Sequence, residues 1–577
     1  MTLPPGGADD SAARALADIK LAEPRLGWQI WSGTLAINLL SLALPLTILQ
    51  AYDRILPHQA LGTFTLISIG ATTAILLETA MRMARATVLG KMTAAFEYRV
   101  VTASVERILG APVQTITRIP AGALLDKMQS IETLRGYHTG QSRLALIDVP
   151  FAGVFILLMY LLGGQIALVP FVLMLFLAPL NLRRVRQEEA ITIRRRADED
   201  RRTDLLIEIL KGIRTVKILA AEALMMRRHD RLQQTTVNNS YDNLQIGNSN
   251  QSLSTLFANL VLVTTVAFGA YLVILGQLSV GALAACTTLA GRAVQPILRL
   301  YAIQGQMMVT ETARKRIADI LALPQQDRTG QKQEVPIQGK VVLSNVTFTH
   351  AGGQKPIFRD LNLTIPAGSI YGITGLDLAG KSTLARLIAG EIRPSRGEVR
   401  LDGHDMSGDN AQYLRHRIAL VGQERSLFEG TILDNIAMFR QGEGVTDALK
   451  AARLIGLELD VQRLPMGYDT HISDSIAEEL PASFAHRIMI ARALARRPRV
   501  LILDQANAGL DIQSDRLLRE ALQSIKGSAT VILVTERPSL LRVADKLFEL
   551  ENGNLTPRAP LPQPAPPTEA ASEVKHA

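Results

Sequence analysis

Runs of apolar residues as long as a bilayer is thick dominate the first half of this chain, and they limit what it can become. A helix needs ~20 mostly apolar residues to cross ~30 Å of hydrocarbon. Trp28 to Gln50 meets that requirement, with Trp28 and Trp31 suited to the interface. Leu61 to Met81 follows, and there Glu78 has to face protein or water. Leu144 to Leu162 and Ile166 to Leu182 are split by Gly163-Gly164, and Leu253 to Leu275 is the fifth run. Val280 to Ile303 is the weakest, because Arg292 and Arg299 interrupt it. The expectation is six spans.

Charge sets their orientation. The connections near 52–60, 163–165 and 276–279 are short and carry little charge. Those at 82–143 and 183–252 are long, rich in Arg and Lys, and patterned as helices. Positive residues stay on the inner side, which puts the long connections and both chain ends in the cytoplasm. The excess of 62 Lys+Arg over 53 Asp+Glu, a net +9, is concentrated in such flanks, as in Arg183-Arg184-Val185-Arg186 and Arg194-Arg195-Arg196. No basic-aromatic platform accompanies it, so nucleic acid is not an expected partner. The single cysteine, Cys286, lies in an apolar stretch; it excludes an intrachain disulfide and reads as a small buried hydrophobe. Residues 1–26 are polar and show no signal-peptide pattern, so the first apolar run is expected to remain as an anchor.

From about residue 338 short apolar strands alternate with helices and glycine turns, the pattern of an α/β domain. Gly375-Leu376-Asp377-Leu378-Ala379-Gly380-Lys381-Ser382-Thr383 matches the phosphate-binding loop pattern. It follows the strand-like run Ser369 to Thr374 and opens an apolar helix at Leu384. Amides at a helix start and a lysine together hold phosphates, and Ser382 is typed as a Mg²⁺ ligand. Arg499-Val-Leu-Ile-Leu503-Asp504 is an apolar strand ending in a carboxylate suited to Mg²⁺. Between them lie Val421-Gly-Gln423, with Gln423 a further candidate for the metal, and a helix beginning near Arg487.

Taken in this order, the motifs resemble those of the ABC transporter superfamily. The resemblance is closest to the transporters of bacterial type I protein secretion. It covers roughly residues 27–555 and includes Ile37 to Pro57, Leu278 to Arg292, Leu464 to Thr470 and Thr535 to Leu541. It implies a six-span α-helical transmembrane domain of ABC exporter type followed by an α/β P-loop ABC nucleotide-binding domain. It also implies ATP and Mg²⁺ as cofactors and a dimer of half-transporters, with each nucleotide between one chain's phosphate loop and the other's signature motif. Family members sit in the bacterial inner membrane with the nucleotide-binding domain in the cytoplasm. They work with a periplasmic adaptor and an outer-membrane channel, and export unfolded proteins. Some carry an amino-terminal peptidase or peptidase-like domain, for which no room is expected here. Coupling between the halves is expected through the turns near Ala111–Leu125 and Ile218–Arg228.

Against the family pattern this cassette has lost several groups. The signature Leu-Ser-Gly-Gly-Gln is replaced by Leu480-Pro481-Ala482-Ser483-Phe484. Pro481 has no hydroxyl or amide hydrogen, Ala482 and Ser483 add side chains where glycine lets the backbone approach, and Phe484 cannot make an amide's contacts. The turn before it, usually Gly-Glu-x-Gly, reads Ser473-Asp-Ser-Ile476. Gln505 stands where the catalytic glutamate belongs, Ala506 where proline is usual, and Glu536 where the switch histidine senses the γ-phosphate. Loss of a general base typically costs ~10²–10⁴ in rate. Asp377 and Leu378 occupy positions that are usually Ser and Gly, and His350 replaces the aromatic that stacks on adenine.

The expected organisation is a polar segment 1–26, a membrane domain 27–322, a linker 323–337, a cassette 338–555 and a Pro/Ala-rich disordered tail 556–577. The expected function is an ATP-binding, weakly hydrolysing subunit of a type I exporter, paired with an intact ABC subunit. A slow homodimeric exporter of protein, lipid or small molecule is the alternative from the enzyme class. An ATP-gated structural subunit is the alternative from the binding class.

Overall fold

Hydrophobic periodicity and backbone continuity account for the amino-terminal unit. The computed structural model describes residues 27–139, 141–176, 201–302, 304–325, 335–350, 353, 355–408, 411–423, 426–473, 480–507 and 509–559. The chain divides into two units, one up to Pro324 and one from Gln325, with Pro112–Gln114 assigned to the second.

Four helices in the described residues are long and apolar enough to cross a membrane: Trp28–His58, Leu61–Gly110, Leu144–Phe176 and Ser252–Ile274. Leu61–Gly110 is a single 50-residue helix, so the second span and the basic segment after it are continuous. Its buried positions Arg85, Leu89, Thr93, Phe96, Val100 and Ser104 recur every three or four residues, as one helix face requires. Phe96 and Val100 pack with Ile131 and Leu134 of helix Ala121–Thr139 and with Ile317 of helix Gln304–Leu321. The other long basic segment likewise joins the fifth span in one helix, Glu222–Ile274. The two turns expected to couple the halves hold the short helices Val113–Ile116 and, just before the second, Ile213–Ile218.

The third and fourth runs, split in the sequence by Gly163-Gly164, are joined by a 3-10 turn, Gly164–Ala167, entered through Gly164 at φ +61°. The chain stays helical to 176; residues 177–182 lie outside the described residues. The sixth run is an unbroken helix, Val280–Ala302, with Pro296 inside it. Its arginines keep it out of the set apolar enough by composition, but they do not interrupt backbone bonding, and Leu289, Ala290 and Ala293 bury a face with Cys286 against Met159 and Phe155.

Polar contacts fasten the bundle at both ends. The Ser279 hydroxyl donates to Asp53 Oδ2 at 2.6 Å, and the Gly281 amide donates to Oδ1 at 2.9 Å. The first short connection therefore caps the sixth helix. A Cβ at Gly281 would fall 2.6 Å from Asp53 Cγ, so this close approach needs glycine. The contact places the connections near 52–60 and 276–279 at one end, as alternation of the spans requires. Towards the other end Arg85 donates to Thr34 Oγ1 at 3.0 Å and to Asp148 Oδ1 at 3.4 Å, tying three helices through buried groups.

In the second unit a four-stranded antiparallel sheet has the order β2-β1-β4-β5, with β1 Val341–Phe348, β2 Phe358–Ile365, β4 Arg396–Leu401 and β5 His404–Asp405. A six-stranded sheet has the order β12-β11-β3-β10-β9-β6. Its members are β3 Ile370–Thr374, β6 Ile418–Val421, β9 Val500–Asp504, β10 Thr530–Val534, β11 Lys546–Glu551 and β12 Asn554–Arg558, while β7 Gly430–Thr431 and β8 His471–Ile472 form a separate antiparallel pair. Every residue of β9 and β10 is buried, which is why these strands read as unbroken apolar runs. Phe358, Ile373, Leu384, Ile502 and Ile532 share one core; Ile436, Ala452, Phe484 and Ile488 belong to another, between helices.

Both edges of the cassette extend past the expected boundaries. Ile337 is buried in the first of those cores with Val335 against it, so the linker ends by 335. At the other edge β12 runs to Arg558 because it pairs antiparallel with β11, and Pro557 is tolerated on that outermost strand.

Removing one member of a buried ion pair leaves the other uncompensated, at a cost of ~3 kcal/mol or more. Asp148→Ala is therefore expected to lower the unfolding midpoint of the detergent-solubilised protein clearly. Arg85→Met combined with Asp148→Leu is expected to recover most of the loss; equal loss in single and double variants would contradict the pairing.

Candidate functional site

Parallel pairing brings four strand ends to one edge. Val534 stands opposite Asp504 and Ile373, and Val421 opposite Leu503. The residues that follow, Gly375, Gln423, Gln505 and Glu536, leave the sheet on the side where open parallel sheets bind ligands. Backbone bonds extend the alignment one residue further: Gln505 N donates to Val534 O at 2.8 Å and Thr535 N to Ile373 O at 3.2 Å.

The loop between β3 and helix Lys381–Ile388 is shaped by its glycines. Gly375 has φ +153° with the Leu550 carbonyl against its open side, and Gly380 has φ +97° with Ile357 Cγ2 2.7 Å from where a Cβ would lie. Leu378 adopts φ +64° and is fully exposed, a strained placement for a branched side chain. Asp377 is exposed beside it, and Ala379 is half-buried. Ser382 and Thr383 open the helix after Lys381.

The Lys381 side chain is only 4% exposed. Its ammonium donates to the carbonyls of Gly375 and Leu376 and to Glu536 Oε1, the last at 2.5 Å. Opposite it, Asp504 is buried, hydrogen-bonded with Ser382, and leaves Oδ1 without a partner. Burial pushes its carboxyl above the ordinary value, while Ser382, Arg386 and Lys381 pull it down. An orphaned carboxylate oxygen beside a helix-start serine fits a hard cation with oxygen ligands. Ser382 and Asp504, with Gln423 nearby, would hold Mg²⁺, which would there neutralise phosphate charge.

Gln505 sits at φ +51° and accepts a hydrogen bond from the Gln423 amide. The two amides satisfy each other where the family pattern has an amide and a carboxylate. His350, at the end of β1, is exposed and stands edge-to-face on Phe348, with centroids 5.1 Å apart.

The signature segment is placed differently. Pro481 caps helix Ala482–Leu494 without any side-chain hydrogen bond, and Leu480, Ala482 and Ser483 are half-buried. Phe484 is 7% exposed and belongs to the helical core, so it offers no side chain to a ligand. Gly509 links this helix to the strand ends, since a Cβ there would meet Ala482 Cβ at 3.1 Å. Of the preceding turn only Ser473 is described; 474–476 lie outside the described residues. Sequence reading also missed the buried pair Thr535–Asn507, whose hydroxyl-to-carbonyl bond is 3.1 Å, because nothing in the sequence joins residues from two different strands.

The described geometry is that of a phosphate-loop cassette attached to a helical membrane unit. Residues 33–297 match the model of the ABC transporter transmembrane region, and residues 358–508 match that of the ABC transporter. The chain is 30% identical over 530 residues to the cyclolysin secretion/processing ATP-binding protein CyaB of Bordetella pertussis, covering 90% of this chain and 73% of that one. The chain belongs to the ABC transporter family. It is also 29% identical over 524 residues to the alpha-hemolysin translocation ATP-binding protein HlyB of Escherichia coli O157:H7, with the same coverage of 90% and 73%. The structure titled "Structure of a bacterial Atm1-family ABC exporter with ATP bound" has the same fold, with a TM-score of 0.80 at 20% identity over 94% of this chain and 95% of that one. In this ABC transporter the membrane unit precedes the cassette, and the expectation of an exporter fold stands.

Two measurements check the reading of the cassette's residues. Phe484→Ala is expected to destabilise the cassette by ~3 kcal/mol, as loss of a buried aromatic does, seen as a lower thermal midpoint with or without nucleotide. Asp504 has a raised folded pKa, so the metal-free folded state holds its proton more tightly than the unfolded chain. Stability then falls as pH rises from the unfolded value through the folded one. Asp504→Asn is expected to raise the metal-free midpoint at neutral pH and to flatten that decline. Thermal melts in chelator across pH 4–8 would show it; an unchanged profile would contradict it.

Proposed function

We propose that this chain is a subunit of an inner-membrane protein exporter of the type I secretion class, binding ATP but hydrolysing it weakly or not at all by itself. The observation that carries the reading is the pairing of Gln423 with Gln505 beside an intact Lys381, Ser382 and Asp504. An amide at 505 can orient a water but cannot take its proton at neutral pH. Pro481 offers the partner's nucleotide neither hydroxyl nor amide hydrogen, and Glu536 brings a carboxylate to the loop's lysine. A site so arranged keeps phosphate and metal groups and lacks the base.

Pairing with an intact ABC subunit supplies a glutamate, a histidine and a signature from the other side. The partner's own site would keep its base and lack only a good signature from this chain. The exported cargo is an unfolded protein, passed on with a periplasmic adaptor and an outer-membrane channel; the names of the relatives CyaB and HlyB, secretion and translocation proteins, support that substrate class.

The test is nucleotide binding and phosphate release by the purified chain in detergent, alone and with an intact ABC subunit encoded nearby. Binding without turnover alone, and turnover on mixing, is the expected result. Gln505→Glu is expected to raise the chain's own rate by at least tenfold if a missing base is limiting. Robust turnover by the unmodified chain alone would overturn the proposal in favour of a working homodimer.

A further inference from the structure

The contact between Lys381 and Glu536 has a consequence for which nucleotide the site prefers. In a phosphate loop the lysine reaches the β- and γ-phosphates, while the β-phosphate is also cradled by loop amides. Here the ammonium already has an anionic partner, at 2.5 Å, within a pocket that leaves its side chain 4% exposed. Its remaining donors are directed to the carbonyls of Gly375 and Leu376.

The backbone around Glu536 is anchored on both sides, while its side chain is 56% exposed. Thr535 on one side donates its hydroxyl to Asn507 Oδ1 at 3.1 Å, and its backbone amide is bonded to Ile373 at 3.2 Å. On the other side the Arg537 amide donates to Thr535 Oγ1 at 3.1 Å, and its guanidinium reaches the Leu510 carbonyl at 3.0 Å. The backbone at 536 is thereby fixed beside the loop, and the carboxylate's partner there is Lys381. Asp504 lies within electrostatic reach of the same ammonium, so a terminal phosphate would meet two acidic side chains and one lysine.

We propose that Glu536 is a specificity-determining residue that takes the place of a γ-phosphate on Lys381 and makes the site prefer a nucleoside diphosphate over a triphosphate. This rests on the reading of the loop as a nucleotide site. A diphosphate fills the amide cradle and leaves the Lys381–Glu536 contact in place. A triphosphate has to displace the carboxylate and then lies beside it, losing a charge-assisted hydrogen bond and gaining like-charge repulsion. ATP still binds, at reduced affinity, and the resting state of the subunit holds ADP.

The test is equilibrium competition on the full-length chain in detergent. A fluorescent ADP analogue is displaced by Mg-ADP and by a non-hydrolysable Mg-ATP analogue, for wild type, Glu536→Gln and Glu536→His. The preference for ADP, expressed as the ratio of the two dissociation constants, is expected to fall by tenfold or more in both variants. The fall should come chiefly from tighter triphosphate binding, which a variant that merely loosens the fold could not produce. A ratio that stays within threefold of wild type in both variants, with ADP still bound, overturns the specificity role and leaves the nucleotide site standing. Failure of wild type to bind either nucleotide, when Lys381→Ala behaves identically, overturns the nucleotide reading itself and the proposal with it.

Discussion

Backbone hydrogen bonds between β3, β10, β9 and β6 fix the relative heights of four strand ends, and every group at the candidate site takes its position from them. The pairing of Val534 with Asp504 and Ile373 decides that Glu536, Gln505 and the phosphate loop emerge side by side. A slip of one residue would turn each strand's side chains to the opposite face; since both faces are buried, what opposes it is the fit of those side chains in the two cores. Because the frame depends on Val, Ile and Leu rather than on the chemical groups at its edge, those groups can change while the frame stays. This is how a cassette can carry Gln505, Glu536 and Pro481 at its edge and still keep Lys381, Ser382 and Asp504 in register.

The phosphate loop was legible because strand, glycines and helix stand in one short segment, where local sequence determines local geometry. The membrane spans were legible because hydropathy needs no knowledge of tertiary contacts. What hydropathy leaves open is backbone continuity, because side-chain composition does not report it. Gly163-Gly164 marks a change of helical pitch, and Arg292 and Arg299 change what the sixth helix faces without ending it. The edges of the cassette depend on distant partners: β12 exists by virtue of β11, and Ile337 is inside only because a distant core receives it.

At the site itself, positions were readable but contacts were not. Glu536 could be placed by its offset from β10, yet the ammonium it binds lies 155 residues away. Phe484 read as a lost polar group; in the fold it is a core residue of a helix buried on nearly all sides. The same substitution that removes a ligand contact thus adds to packing, a compensation that only three-dimensional neighbours reveal.

The two longest helices also act as mechanical elements. A rod of 50 residues extends ~75 Å at the α-helical rise, with only about 30 Å of it needed for the hydrocarbon. Tilting such a rod by ~10° about a pivot at one end sweeps the other through ~13 Å, given that rise. No proline interrupts Leu61–Gly110 to absorb the motion as a kink. Arg85 grips the rod near its middle, so the same ~10° tilt about that point moves the Gly110 tip by ~6–7 Å over a lever arm of ~37 Å.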